Sequence, residues 1–169
     1  MKLIVFLAAV ALLPTVLMVS AVRAASEDES FKAFLPRFEQ GITDFINGDP
    51  TLWKQNVSQR DESIIIGGWG AYEKGWNDIS TRYDWAAARF RKSGAKVAPE
   101  YLVTSVSGDI AYTVTIERSV VLLVGQDKPA PMALRVTHIF RKEPTGWKLV
   151  LRHADPLIVK TTPATVLHK

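Results

Sequence analysis

The chain has 169 residues, with 21 Lys and Arg against 17 Asp and Glu, and it contains no cysteine. The lack of cysteine excludes disulfides, thiolate metal sites and a cysteine nucleophile. The positive charge is small and its densest cluster is only Arg89-Phe90-Arg91-Lys92, which argues against nucleic-acid binding.

The first 24 residues have the pattern of a secretory signal peptide. Lys2 precedes an apolar stretch from Leu3 to Val19, and Val22-Arg23-Ala24 fits a cleavage site after Ala24. We therefore expect a periplasmic or secreted protein that has no membrane contact after cleavage. The alternative is an uncleaved signal anchor, because Leu3 to Val22 is 20 residues, just long enough to span a bilayer.

The remaining chain is long enough for one domain. Cleavage leaves 145 residues, which can bury about two-thirds of their unfolded surface. We expect residues 25–30 to form a disordered lead, residues 31–155 to form the domain and residues 156–169 to form a C-terminal tail.

Three segments in the first half of the chain are predicted to be helices. Apolar residues spaced three and four apart predict a first helix that holds Pro36 in its first turn and ends at Asn47. Asp49 is expected to cap a second, short helix. The same spacing, from Trp76 to Phe90, predicts a third helix that ends at Ser93-Gly94.

The second half is predicted to be a β-meander. A short strand is expected at residues 63–66, and beyond residue 95 the apolar period changes from 3.6 to 2. Four strands follow at roughly residues 96–106, 109–124, 132–142 and 146–154, separated by short turns. Short turns join antiparallel neighbours, so the sequence predicts an α+β domain with helices on one face of a curved sheet.

Strand alternation predicts which side chains face the helices. By parity, His138, His153 and Tyr112 lie among apolar neighbours. If the last two strands form a hairpin with Lys142 opposite Trp147, His138 and His153 become diagonal neighbours about 7 Å apart.

Two interpretations of these histidines remain open. A buried imidazole must find a hydrogen-bond partner or lose its charge, and the pair fits satisfied core histidines. Alternatively the histidines line a ligand cavity between helices and sheet, where nearby aromatic residues supply the wall. The predicted loop at residues 67–76 holds three of these aromatic residues, which also fit a simple cap on the core. The predicted ligand-binding residues are Trp69, Tyr72, Trp76, Tyr83, Tyr112, His138 and His153.

Metal ions and cofactors are not expected. Neither histidine has a carboxylate at metal-ligand spacing beside it. The glycines at positions 67, 68 and 70 do not fit a phosphate-binding loop, because no Gly-Lys-Ser/Thr follows them.

The closing sequence LRVTHIFRKEPTGWKLVLRHAD, residues 134–155, and the spacing from Gly68 to Ile79 resemble the SnoaL-like domains of the NTF2-like superfamily. The resemblance implies an α+β cone, in which a curved antiparallel sheet wraps around N-terminal helices and encloses a cavity. It also implies a homodimer formed through the outer sheet face. Members include steroid isomerases, polyketide cyclases, dehydratases, epoxide hydrolases and non-catalytic binding domains, so the fold does not settle the function.

The resemblance carries little of the isomerase chemistry to this chain. Isomerase members place a carboxylate base at the end of the first strand, where this chain has Ile64-Ile65-Ile66-Gly67. The remaining catalytic candidates are His153 or His138 as general base, with Asp155 as a partner.

Three functions follow from these residues. The main expectation is a domain that binds a small lipophilic ligand without established catalysis. One alternative is an isomerase, dehydratase or hydrolase that acts on a lipophilic small molecule. The other is a homo-oligomeric association module, which would use the sheet face that holds Arg135, Thr137 and Ile139.

Overall fold

The computed structural model describes residues 13–158, with side chains from residue 28 onward. Residues 1–12 of the predicted signal peptide and residues 159–169 of the predicted tail lie outside the described residues. Within the described part, no helix is both long enough and apolar enough to cross a membrane. The elements are α1 (Leu13–Phe45), α2 (Thr51–Gln55), β1 (Ile64–Ile66), β2 (Tyr72–Lys74), α3 (Trp76–Ala87), β3 (Phe90–Arg91), β4 (Ala98–Ser107), β5 (Ile110–Leu123), β6 (Ala130–Glu143) and β7 (Gly146–Pro156).

The strands form one curled sheet against which the helices pack. The strand order is β2-β1-β7-β6-β5-β3. β4 pairs with β5 on the same edge as β3, opposite residues 110–118 of β5. β1 and β7 run parallel, and the other pairs are antiparallel. The predicted α+β cone, with a curved sheet wrapped around N-terminal helices, is confirmed.

An aromatic cluster joins α1 to the sheet. The rings of Phe31, Phe34 and Phe38 contact Phe140 of β6 at centroid distances of 5.1, 5.8 and 5.0 Å. All three contacts are edge-to-face, the arrangement that aromatic quadrupoles favour. The periodic apolar face of the first helix is therefore the face that builds the core, as predicted.

The first helix begins earlier than the sequence predicts. It includes residues 25–30, for which we expected a disordered lead, and it continues through Pro36. Phe31 is fully buried, and the indole N–H of Trp147 donates a hydrogen bond of 3.0 Å to the Ser30 hydroxyl. These tertiary contacts hold a polar segment helical, which local propensity alone does not do.

Two short strands lie where the sequence predicted part of a helix and a loop. Phe90, predicted as part of the third helix, pairs with Leu123 of β5 instead. Tyr72, expected in a loop, lies in β2 and pairs with Ile66. In both places the open edge of a neighbouring strand decides the conformation, and periodicity does not report such an edge.

The β6–β7 hairpin contains a bulge. Lys142 lies opposite Trp147, as predicted, but the register then shifts between Phe140 and Ile139. Val150 has no partner on β6, which makes it the extra residue of a β-bulge. Because side chains alternate between faces, one extra residue sends every later side chain of β7 to the opposite face.

The bulge overturns the predicted placement of His153. His138 lies opposite Arg152, and His153 lies opposite Thr137 on the outer face of the sheet. The prediction that the two histidines are diagonal neighbours on the helix side is therefore wrong. Arg152, which the regular pattern assigned to the outside, faces the helices instead.

The prediction that Tyr112 of β5 faces the helices is wrong as well. Tyr112 is on the outer face, where 42% of it is exposed. The side chains that face the helices are Thr113, Thr115 and Glu117, all buried. Thr113 lies opposite His138 of β6, and directly paired residues share a face of the sheet.

Candidate functional site

A cavity of about 110 Å³ lies between the helices and the inner face of the sheet. α1, α2 and α3 supply one wall, while β5, β6 and β7 supply the floor. Most of the lining is apolar, and it includes Ile42, Phe45, Trp53, Ile65, Tyr83 and Phe90.

An ion pair between Arg152 and Glu117 lies on the cavity floor. The two guanidinium nitrogens Nη1 and Nη2 donate to the carboxylate oxygens at 2.9 and 2.7 Å. Only 13% of the Arg152 side chain and 5% of the Glu117 side chain are exposed. This bidentate geometry is the strong form of an arginine–carboxylate contact, which partly offsets the cost of removing both charges from water.

His138 contacts the ion pair but does not itself line the cavity. Its Nε2 lies 2.6 Å from Nη1 of Arg152, and its Nδ1 lies 3.3 Å from the Thr113 hydroxyl oxygen. Arginine can only donate, so Nε2 accepts and the ring proton belongs on Nδ1, which donates to Thr113. Burial and the neighbouring Arg152 charge hold the pKa of His138 well below its usual 6.5, which keeps the ring neutral.

Arg152 retains its charge in this environment. Burial lowers its pKa, but the charge and hydrogen bonds of Glu117 raise it by more, and the net direction is upward. Its guanidinium carbon also lies 5.6 Å from the centre of the Trp53 ring, within the range of a cation–π contact.

Three polar atoms in residues that line the cavity are themselves fully buried and make no hydrogen bond of accepted geometry among the described residues. They are Nε1 of Trp53, the hydroxyl of Tyr83 and the hydroxyl of Ser119. Burial raises the pKa of Tyr83, against the smaller opposing effects of the Arg152 charge and the Trp53 N–H, so its hydroxyl keeps its proton. Buried polar groups are nearly always paired in native proteins, and each unpaired one calls for an explanation.

The turn at residues 67–70 forms the rim of the cavity. The Gly70 N–H donates to the Gly67 carbonyl at 3.0 Å, and the φ of Gly70 is +81°, which favours glycine. Trp69 stacks on Phe90 with a centroid distance of 5.3 Å, and 45% of it remains exposed. Trp69 therefore lies between the cavity and solvent.

The structure separates the aromatic residues predicted to bind ligand. Trp69 and Tyr83 line the cavity. Trp76 packs against the core at the start of α3 and is not part of the lining. Tyr72 is 69% exposed on β2, and Tyr112 lies on the outer face of the sheet, so neither reaches the cavity.

The two predicted catalytic histidines lie on opposite faces of the sheet. His138 is sealed behind the cavity floor, and only 1% of it is exposed. His153 and Asp155 do form a pair, with Nε2 and Oδ2 3.4 Å apart, but about half of each side chain is exposed on the outer face. Arg135 lies 3.9 Å from the same Asp155 oxygen, which makes the group a solvated surface cluster.

Sequence reasoning missed Arg152, Glu117, Trp53 and Ser119 as cavity residues. Glu117 carries no signal, because it shares its parity with Thr113 and Thr115, a polar row that strand alternation assigns to solvent. Arg152 carries none, because its direction depends on the bulge at Val150.

A family model described as the SnoaL-like domain matches residues 35–158, which is most of the chain. The chain belongs to the SnoaL-like domain family. No curated protein matches it. The family-model match confirms the resemblance that the closing hairpin indicated.

Solved structures of NTF2-like proteins share the fold of this SnoaL-like domain. An NTF2-like superfamily protein from Salmonella enterica is 20% identical, with a TM-score of 0.69 over 82% of this chain and 96% of that chain. An NTF2-like protein with a cystatin-like fold from Novosphingobium aromaticivorans is 16% identical, with a TM-score of 0.61 over 90% and 96% of the chains. A ketosteroid isomerase-like protein from Erwinia carotovora is 15% identical, with a TM-score of 0.59 over 81% and 98%.

Removing one partner of the buried ion pair should strongly destabilise the domain. We expect Arg152→Met to lower the free energy of unfolding by about 3–5 kcal/mol, because it leaves the Glu117 carboxylate buried without its counter-charge. Replacing both residues, as Glu117→Leu with Arg152→Met, should restore much of that loss. Urea unfolding of the three proteins measures both effects.

Arg118→Met is the matched control, because Arg118 pairs with Glu100 on the surface, where 55% of each side chain is exposed. Its cost should stay below about 1 kcal/mol. A cost for Arg152→Met no larger than that of Arg118→Met would contradict the buried pair.

Proposed function

We propose that this SnoaL-like domain binds a small lipophilic ligand in the cavity above the Arg152–Glu117 pair. The observation that carries the proposal is a mostly apolar cavity of about 110 Å³ whose floor holds the Arg152–Glu117 ion pair. An apolar cavity with a few convergent polar groups is the usual form of a small-molecule site. Cavities of this order accept ligands as small as benzene in other proteins.

The positions of the histidines favour binding over histidine-based catalysis. Both ring nitrogens of His138 are engaged, by Arg152 and by Thr113, and its low pKa makes it a weak base. His153 lies on the other side of the sheet from the cavity. The enzyme alternative that rested on these two residues therefore gains no support from the geometry.

Export of the domain remains part of the proposal. It rests on the signal-peptide pattern of residues 1–24 alone. A domain without cysteine relies on packing for its stability in such a compartment, and the buried aromatic cluster around Phe140 supplies that packing.

Filling the cavity should abolish ligand binding without unfolding the domain. Toluene at about a hundredfold excess over its Kd should stabilise the wild type by about 2.7 kcal/mol, seen as a rise in Tm. Ala86 lines the cavity, so Ala86→Leu should remove this rise.

Ala88→Leu, two residues along and exposed at the end of α3, is the control and should keep the response. No rise in the wild type, or an equal rise in Ala86→Leu, would contradict binding in this cavity.

We also propose a homodimer formed through the outer sheet face. Ile110 and Tyr112 are more than 40% exposed there, on the face that also holds Arg135, Thr137 and Ile139. Exposed apolar residues that cluster on one face mark an interaction surface, and a two-fold dimer would bury the same face on both copies.

Charging the outer face should favour the monomer. Tyr112→Glu should shift the sedimentation coefficient towards that of a monomer, because it buries an uncompensated carboxylate in the interface. Tyr72→Glu, on the 69% exposed Tyr72 of β2, should not change it. A wild type that sediments as a monomer at all accessible concentrations contradicts the dimer.

A further inference from the structure

Exposed aromatic and cationic side chains lie together where α3 ends and β3 begins. The Trp69 and Trp85 rings, both partly exposed, are in edge-to-face contact with centroids 6.0 Å apart. The N–H of the exposed Val124 donates to the Arg89 carbonyl at 2.9 Å, which brings the β5–β6 turn to the same place. Exposed apolar side chains that adjoin one another mark an interaction surface. We call Trp69, Trp85, Arg89, Arg91 and Val124 the tryptophan patch.

The patch has a surplus of positive charge. From residue 85 to residue 99 the chain has no carboxylate and four cationic residues, which are Arg89, Arg91, Lys92 and Lys96. The guanidiniums of Arg89 and Arg91 donate to backbone carbonyls, at 3.4 and 3.3 Å, and neither has a carboxylate partner among residues 28–158. The adjoining turn adds one charge of each sign, Asp127 and Lys128. The surplus therefore matches an anionic partner.

The ring faces of the two tryptophans are largely covered. Arg82 lies one helical turn before Trp85 and Arg89 one turn after it, and each guanidinium carbon is 4.2 Å from the ring centre. Like charges repel, so the two cations cover opposite faces of that ring. Trp69 stacks on Phe90 with one of its own faces. A nucleotide base needs an open face to stack on, and these rings offer little of one.

A lipid headgroup region needs no open ring face. Tryptophan is enriched at membrane–water interfaces, because its body is apolar and its indole N–H is polar. Arginine and lysine beside it are attracted to the phosphates of anionic lipids. The combination of partly exposed tryptophans, an exposed valine and cations without carboxylate partners fits this surface better than a purely polar partner.

We propose that the tryptophan patch binds the surface of an anionic lipid bilayer. Arg89 and Arg91 contact the lipid phosphates, and Trp69, Trp85 and Val124 enter the headgroup region. A peripheral contact of this kind departs from the sequence-based expectation of no membrane contact after cleavage, and it needs no spanning segment.

Binding in this orientation would turn the rim of the cavity towards the lipid. Trp69 belongs to both the rim and the patch, and Phe90 beneath it lines the cavity. A lipophilic ligand could then pass between bilayer and cavity without crossing water. The bilayer contact itself does not require a ligand in the cavity.

Cosedimentation with phosphatidylcholine vesicles, prepared with and without phosphatidylglycerol, tests the proposal. The protein is purified as expressing cells process it, and every variant has the same N-terminus. We expect the wild type to bind the anionic vesicles at least about tenfold more tightly than the neutral ones, because each cation near an anionic leaflet contributes about fivefold. Salt at about 1 M, which screens charges beyond about 3 Å, should remove that difference.

Two variants connect the binding to the patch. Arg89→Glu removes one cation and adds one anion, so its affinity for anionic vesicles should fall by about twentyfold. Lys142→Glu makes the same change of charge on an exposed lysine at the opposite end of β6 and should bind like the wild type. Trp85→Ala should also weaken binding, whereas Leu102→Ala, at a 55% exposed position of β4, should not.

The outcomes separate this proposal from ligand binding in the cavity. Equal binding of the wild type to both vesicles, or equal losses in Arg89→Glu and Lys142→Glu, overturns it. Tighter binding to soluble polyglutamate than to anionic vesicles overturns it in favour of an acidic protein partner. Ala86→Leu, which fills the cavity, should bind anionic vesicles like the wild type, so either proposal can fail while the other holds.

Discussion

The buried ion pair between Arg152 and Glu117 is the interaction on which the inner face of the sheet depends. Glu117 faces the helices from β5, and without a cation it would be an uncompensated buried charge. A regular β7 would point Arg152 to solvent. The unpaired Val150 turns it inward, and the same turn moves His153 outward. One bulge therefore decides both what the cavity contains and what the outer face presents.

The pair also connects three strands and a wall of aromatic rings. It spans from β5 to β7, and between them His138 of β6 accepts from Arg152 while it packs edge-on against Phe38 at 5.0 Å. Above this polar floor the helices supply Trp53 and Tyr83, whose rings are in edge-to-face contact. The cavity is thus mainly apolar with one buried ion pair on its floor, and neither His138 nor His153 lines it.

Much of the architecture can be predicted from the sequence, because hydrophobic periodicity and turn residues report local structure directly. The helix from Phe31 onward and the hairpin with Lys142 opposite Trp147 are examples. Of the site, Trp69 and Tyr83 were predictable as aromatic lining. Arg152 was not, because alternation assumes a regular ladder, and a bulge is set by cross-strand partners that the pattern does not contain.

The protonation state of His138 tests the inward pairing of Arg152 most directly. Long-range ¹H–¹⁵N spectra of the imidazoles, recorded from about pH 8 to pH 5, distinguish the neutral tautomers from the cation. We predict that His138 stays neutral and carries its proton on Nδ1 throughout, because its Nε2 accepts from a buried, charged Arg152. Protonation of His138 near its usual pKa of 6.5, or a proton on Nε2, would contradict this arrangement.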